Sequence, residues 1–291
     1  MLYKLNLLVH LVCILTVLPH LSAANMTNVQ MVGGHEPKAM EYLKYIVVIK
    51  YSYSSMFLCN GVLIGSNRVL TAAHCLKSKM SKDLIVVSGI KNEEDIFSFK
   101  KDFRRFKINN FWIHPNFERD NDGYDIAIAL LKVKAHTQQE RLPSIGLMES
   151  QPNKLSHCWT YGWGANRITR NPRKSQLQEA NVMIIDEKFC LNKFRRKLIN
   201  ELCVGADGYM AGSLDCGNPL ICDGALAGIQ SNSYQHNTTA DIAYQGSIYT
   251  STYDLSDWLN KMLYSNSAAA EFVKFISLIL MCFMQYLNLL L

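Results

Sequence analysis

Charge is scarce in this 291-residue sequence: Asp, Glu, Lys and Arg together make up 19%, against 49% hydrophobic residues. That balance excludes a charge-rich disordered chain and leaves enough apolar material for a sizeable buried core. No segment recurs at a fixed period and no tract is of low complexity, which excludes solenoid and array architectures. A strong excess of either sign is also missing. The net charge is +6, and the basic clusters Arg104-Arg105-Lys107 and Arg195-Arg196-Lys197 read most simply as solvated loop faces. Nothing in the charge pattern calls for nucleic acid.

Both termini are apolar instead. Residues 1–24 read as a secretory signal: Lys4 in a short n-region, an apolar run from Leu5 to Leu18, and the small residues Ser22-Ala23-Ala24 before the cut. A short propeptide, 25–30, would follow. Asn25 (Asn-Met-Thr) and Asn237 (Asn-Thr-Thr) are glycosylation sequons. At the other end, 265–291 is a hydrophobic tail in which the small patch Ser265 to Ala270 precedes the apolar stretch 272–291. That order fits a signal exchanged for a GPI anchor. Its length also suits a retained membrane anchor, and Lys274, Gln285 and Asn288 allow a helix lying on the membrane.

Nine cysteines follow from the same division. Cys13 belongs to the signal and Cys282 to the tail, leaving seven in the body. Export implies an oxidising compartment, and an odd count places one cysteine outside intramolecular bridges, as a thiol or in a bond to another chain. Between residues 40 and 255, short β-rich runs bounded by turn residues recur at Tyr45–Tyr51, Val62–Ile64, Leu84–Val87, Ile126–Leu131, Val182–Ile185 and Leu226–Ile229. Such spacing predicts an all-β barrel or sandwich. The polar stretch His136–Pro152 suits a crossover between two halves. Leu255, Trp258, Leu259 and Met262 fall at helical spacing after Thr252 and Asp254, which predicts a C-terminal amphipathic helix.

Four separated stretches, "MVGGHE" (31–36), "LTAAHC" (70–75), "DIAIALL" (125–131) and "DCGNPL" (215–220), resemble in order and spacing the landmarks of the trypsin/chymotrypsin serine proteases. "GWG" (162–164) and "LQEANVMII" (177–185) add to the match. The resemblance covers residues 31–264 and implies an all-β fold of two packed six-stranded antiparallel barrels with a C-terminal helix. It assigns His74 as general base, Asp125 as the carboxylate that orients the imidazole, and Cys216 to the nucleophile's position. Ser231 matches the serine that supports the carboxylate and borders the specificity pocket. The family's pairing implies disulfides Cys59–Cys75, Cys158–Cys222 and Cys190–Cys203, the first worth about 3 kcal/mol on a loop-entropy model. A fourth family bridge is absent from both ends: Gly212 occupies one half-site and residues 231–237 contain no cysteine.

Other positions depart from the family. A thiol at residue 216 is chemically sensible, because cysteine beside an imidazole forms a thiolate–imidazolium pair, and some viral proteases of related architecture use one. Leu214, however, replaces the glycine whose N–H forms the oxyanion hole with that of residue 216, and Asn218 replaces a second loop glycine. Activation would expose Met31 after Gln30, rather than after Arg or Lys, and its new amine would seek Asp215. Met210 stands where trypsins carry an acid, with Ala211 beside it. Asn232 and Ser233 replace a Trp-Gly pair, and Ser247 replaces a small glycine on the opposite wall. The pocket then reads as shallow and apolar; because the "VGADGY" loop is short, Met210 also reads as a core residue.

Two functional readings result. In the first, the chain is an exported or membrane-tethered protease homologue with impaired or absent proteolysis, acting by binding a protein or peptide. In the second, it is an active endopeptidase with a Cys216-His74-Asp125 triad that prefers apolar or small side chains. Neither reading calls for a metal or cofactor.

Overall fold

The computed structural model describes residues 35–37, 41–54, 57–90, 104–118, 123–133, 142–163, 177–206, 216–233 and 245–264. The expectations placed on Asn25, Gln30, Met31, Met210, Ala211, Leu214, Asp215 and Asn237, and on segments 1–24 and 265–291, lie outside them.

Twelve antiparallel strands close into two barrels. The first contains β1 (Ile46–Tyr51), β2 (Phe57–Gly65), β3 (Arg68–Thr71), β4 (Leu84–Ser88), β5 (Arg104–Ile113) and β6 (Ala127–Leu131), in the order β1-β2-β3-β6-β5-β4. The second contains β7 (His157–Gly162), β8 (Gln178–Ile184), β9 (Glu201–Ala206), β10 (Pro219–Cys222), β11 (Ala225–Ser233) and β12 (Gln245–Ser251), in the order β10-β11-β12-β9-β8-β7. Closure pairs every strand on both sides, so neither sheet presents an open edge. Among the described residues the α-helices are α1 (Ala73–Leu76), α2 (Glu187–Phe194) and α3 over residues 256–264.

The six β-rich runs read from the sequence fall on β1, β2, β4, β6, β8 and β11. β3, β5, β7, β9, β10 and β12 lie outside those runs; in β5 only Ile108 is buried, and Arg104, Arg105 and Lys107 break up any apolar pattern. Arg104, Arg105 and Lys107 therefore lie on a strand rather than a loop, opposite Ser88, Val87 and Ile85 of β4. Barrel closure imposes the strand where local pattern does not. The second basic cluster differs too. Arg196 forks onto Glu201 at 2.6 and 2.8 Å, and the glutamate side chain is fully buried. Burial pushes the Glu201 pKa up even though Arg196 opposes it.

The crossover between the barrels binds to both of them. Ile145 donates its N–H to Leu63 O of β2, while Gly146 O and Met148 N–H pair with Leu226 of β11. The buried core likewise runs without a break from Val47 and Leu70 of the first barrel to Ile221 and Ile229 of the second. Helix α3 docks through Leu255 and Leu259, both buried, and sets Trp258 edge-on to His114, whose ring stacks on Tyr124 at 4.8 Å. Three disulfides, Cys59–Cys75, Cys158–Cys222 and Cys190–Cys203, match the pairing implied by the resemblance.

At one point the barrels leave no room for a side chain. Gly123 has φ +80°, and a Cβ there would lie 1.9 Å from the carbonyl oxygen of Ile199. Gly123→Ala combines left-handed strain with overpacking, for an expected loss of about 2–4 kcal/mol in urea unfolding. Glycine's neighbour-free Gly89, also at positive φ, sets the comparison: alanine there suffers the backbone strain alone and loses less.

Candidate active site

His74 owes its place to the end of β3. The chain leaves Thr71, passes through extended Ala72 and turns into the single-turn helix α1. The first N–H groups of a helix have no partner within it, and the N–H of His74 donates to Asp125 Oδ1 at 2.9 Å. The next residue, Cys75, ties the turn to β2 through Cys59. Helix start and disulfide together fix the imidazole from both sides.

Asp125 is wholly buried just before β6. Isolated burial of a carboxylate would be costly, and three donors offset it. Besides the His74 backbone, His74 Nδ1–H donates to Oδ2 at 2.7 Å and the Ser231 hydroxyl donates to the same oxygen at 2.8 Å. Thr250 of β12 holds the Asp125 main-chain carbonyl at 3.2 Å. The carboxylate is thus bound by groups from both barrels. Burial on its own would lower the His74 pKa, but hydrogen bonding and charge from Asp125 and Cys216 outweigh it and raise the value from 6.5 to about 10.

Cys216 arrives from the second barrel. It is half-buried and lies outside the three disulfides, and its Sγ donates to the Ser231 carbonyl at 3.8 Å. Its own carbonyl accepts the N–H of Asn60 at 2.9 Å. Gly217 follows with φ +86°, and a Cβ there would sit 2.0 Å from Asn60 O and 2.8 Å from Thr71 Oγ1. Gly217 N–H and Asn218 O bond the two main-chain groups of Gln230 at 2.9 Å each. The loop is consequently wedged between β2 and β11 by backbone contacts. Asn218, where the resemblance expects glycine, is completely buried, and neither side-chain amide atom has a hydrogen-bond partner among the described residues.

The structure therefore brings His74, Asp125, Ser231 and Cys216 together. Ser231 is turned to Asp125, while Ser247 is buried in β12 opposite Ser233 of β11. Thr250, Asn60 and Thr71 are positioning groups that the sequence reading did not find. Thr71 sits inside the "LTAAHC" stretch, which was a usable signal; Thr250 and Asn60 act through long-range backbone contacts that no local motif carries. Cys59, Cys75 and His74 also cluster, with their ligand atoms within 4.8 Å of one another. Both sulfurs belong to one disulfide, so they are not thiolate ligands for a metal.

Residues 31–259 match the family described as Trypsin. The chain belongs to the trypsin family. Among its trypsin-family relatives, rat (Rattus norvegicus) chymase is 29% identical over 267 residues, covering 88% of this chain and 99% of the chymase. Coagulation factor XI of Bos taurus is 30% identical over 200 residues, 66% of this chain, and this chain spans only 31% of that protein. The solved structure of neuropsin, a serine protease of mouse brain, superposes with a TM-score of 0.65 at 23% identity, covering 79% of this chain and 98% of neuropsin. That likeness shows the fold, two closed β-barrels.

In this trypsin-family site, the raised His74 pKa links protonation to folding. Its stabilisation is fully present below about pH 6.5 and is lost as pH climbs through about 10. Urea midpoints measured across that window should decline in the native chain, and the decline should flatten in His74→Gln. Parallel curves for the two proteins would contradict the linkage.

Proposed function

We propose that this trypsin-family chain acts chiefly by binding a protein or peptide in its cleft, with proteolysis impaired or absent. The observation that carries the reading is the loop bearing Cys216. It holds a thiol in place of a hydroxyl, and next to Gly217 it buries an asparagine amide with no partner among the described residues. A buried amide must find partners or it costs about 1–3 kcal/mol, a demand the glycine of the family pattern does not make. Leu214, at the position that supplies an oxyanion donor, adds to this, because removing one such donor typically slows turnover by about 100- to 1000-fold. Gln30 before Met31 gives no basic residue for a trypsin-like activator, and Met210 with Ala211 offers no charge to select Arg or Lys.

The second reading, an endopeptidase, is favoured by the complete His74-Asp125-Ser231 arrangement beside Cys216. In that chemistry the Cys216 thiolate attacks the scissile carbonyl, the C–N bond breaks, and the amine leaves with the proton of His74 Nε2; water then cleaves the thioester with His74 as base. Three disulfides suit export to an oxidising compartment. We place the chain there, with 1–24 removed, Asn25 and Asn237 as glycan sites, 31–264 as the protease-like domain and 265–291 as GPI signal or membrane anchor.

A peptide-library assay separates the two readings. The native chain should show little or no turnover, and Cys216→Ser combined with Leu214→Gly should gain about 100-fold or more over either single substitution. Efficient hydrolysis by the native chain, abolished in Cys216→Ala, would sink the binding reading in favour of the endopeptidase.

A further inference from the structure

Helix α3 carries two stripes. Leu255, at its start, and Leu259 are buried, and Trp258 and Met262 pack against the same core. Ser256, Asn260, Leu263 and Tyr264 recur at helical spacing on a second stripe, which lines a cavity of about 610 Å³. Residues 144–149 of the crossover form the other wall, and Ile64 of β2 and Tyr253 complete the lining. None of these residues belongs to the His74, Asp125, Ser231 and Cys216 site.

Both walls are held in place. The crossover is bonded through Ile145 to Leu63, and through Gly146 and Met148 to Leu226. The far end of α3 is fastened by Arg68, whose Nε–H donates to the Met262 carbonyl at 3.2 Å and whose Nη1 donates to Asn67 Oδ1 at 3.1 Å. The cavity is therefore preformed, and its volume lies within the range of about 300–1,000 Å³ that ligand sites occupy.

Its lining selects by charge. Glu149 is the one charged side chain there; Asp257 and Lys261 of α3 do not line the cavity, and Arg68 is committed to fastening the helix. Tyr253 is 36% and Tyr264 63% exposed, so two aromatic rings share the cavity with the carboxylate while open to solvent. Ile64, Leu147 and Leu263 add apolar surface. A carboxylate, aromatic rings and apolar surface together suit a cation on an apolar stem, which is the build of a lysine or arginine side chain. A site of this size holds more than one side chain, so the residues flanking the cation enter with it.

We propose that this cavity is a second binding site, separate from the cleft, that takes a basic residue and its apolar neighbours from a partner polypeptide. Glu149 pairs with the ammonium or guanidinium, Tyr253 and Tyr264 pack against the cation and its stem, and Ser256 and Asn260 supply hydrogen bonds to the partner's main chain. The site does not use Cys216, so it holds whether the cleft cuts peptides or only binds them.

The test uses the purified full chain and a blocked pentapeptide, Ala-Leu-Arg-Phe-Ala, labelled for fluorescence anisotropy and, in a second version, with a photoreactive group. Binding should saturate, and citrulline in place of the arginine should weaken it about 10-fold. Tyr264→Ala should weaken it about 2- to 5-fold. Glu149 is exposed, so Glu149→Lys leaves the fold intact; it should lose the arginine peptide and gain the version with glutamate in its place. A Cβ on Gly146 would meet nothing within 4 Å, so Gly146→Trp tests the wall without overpacking and should also weaken binding. The photolabel should fall within residues 144–149 or 253–264. No saturable binding below about 1 mM would overturn the proposal, as would equal affinity for the citrulline peptide or unchanged affinity in Glu149→Lys. Label confined to the strands around Cys216 and Ser231 would assign the peptide to the cleft instead, and agmatine binding as tightly as the peptide would remove the polypeptide as occupant.

Discussion

The buried carboxylate of Asp125 is the point on which the cleft depends. It sits at the seam of two independently closed barrels, bound by His74 from the first and by Ser231 from the second, with Thr250 on its main chain. A charge sealed away from water must be met by donors or it does not remain a charge. Meeting it draws both barrels to a common geometry, and the imidazole acquires its orientation and its high proton affinity in the same step. The surrounding contacts serve this seam. Gly123 admits Ile199 beside it, and the His114-Tyr124-Trp258 cluster packs α3 against the residue before it.

Much of this was legible in the sequence, for a physical reason. His74 and Asp125 lie in short contiguous motifs because the turn into α1 and the start of β6 are local structures whose neighbours must be small or apolar to be buried. Cys59–Cys75 and the other two bridges follow from the same register. The six strands read directly carry β-rich runs bounded by turn residues, whereas short buried β3 and β10 were not among those runs despite their burial. β5 was missed because closing the barrel supplies its ladder bonds while only one of its ten residues is buried. Arg196 was read as a solvated charge because nothing adjacent in sequence announces that it will cap a buried Glu201. Thr250 and Asn60 stayed hidden likewise: they act through hydrogen bonds to residues distant in sequence, which leave no periodic trace.

The chemistry of the cleft is set by a division between frame and contents. The His74-Asp125-Ser231 frame is hydrogen-bonded throughout, while the loop beside it carries a thiol and a buried asparagine amide. Against the effect of burial, hydrogen bonding and charge from Asp125 and Cys216 raise the proton affinity of His74, so the retained residues govern more than peptide hydrolysis. Retention of His74 and Asp125 is then no argument by itself for proteolysis. They also hold the seam together.

The wedge of residues 216–217 between β2 and β11 has a separate meaning for divergence. Its fixed points are the Cys216 carbonyl, the Gly217 amide and the space left by the missing glycine side chain. None of them involves the Cys216 side chain. The reacting atom at this position is therefore interchangeable at little structural cost, whereas the glycine after it is not. Such a scaffold admits oxygen or sulfur at residue 216, because the backbone contacts that seat the loop stay the same.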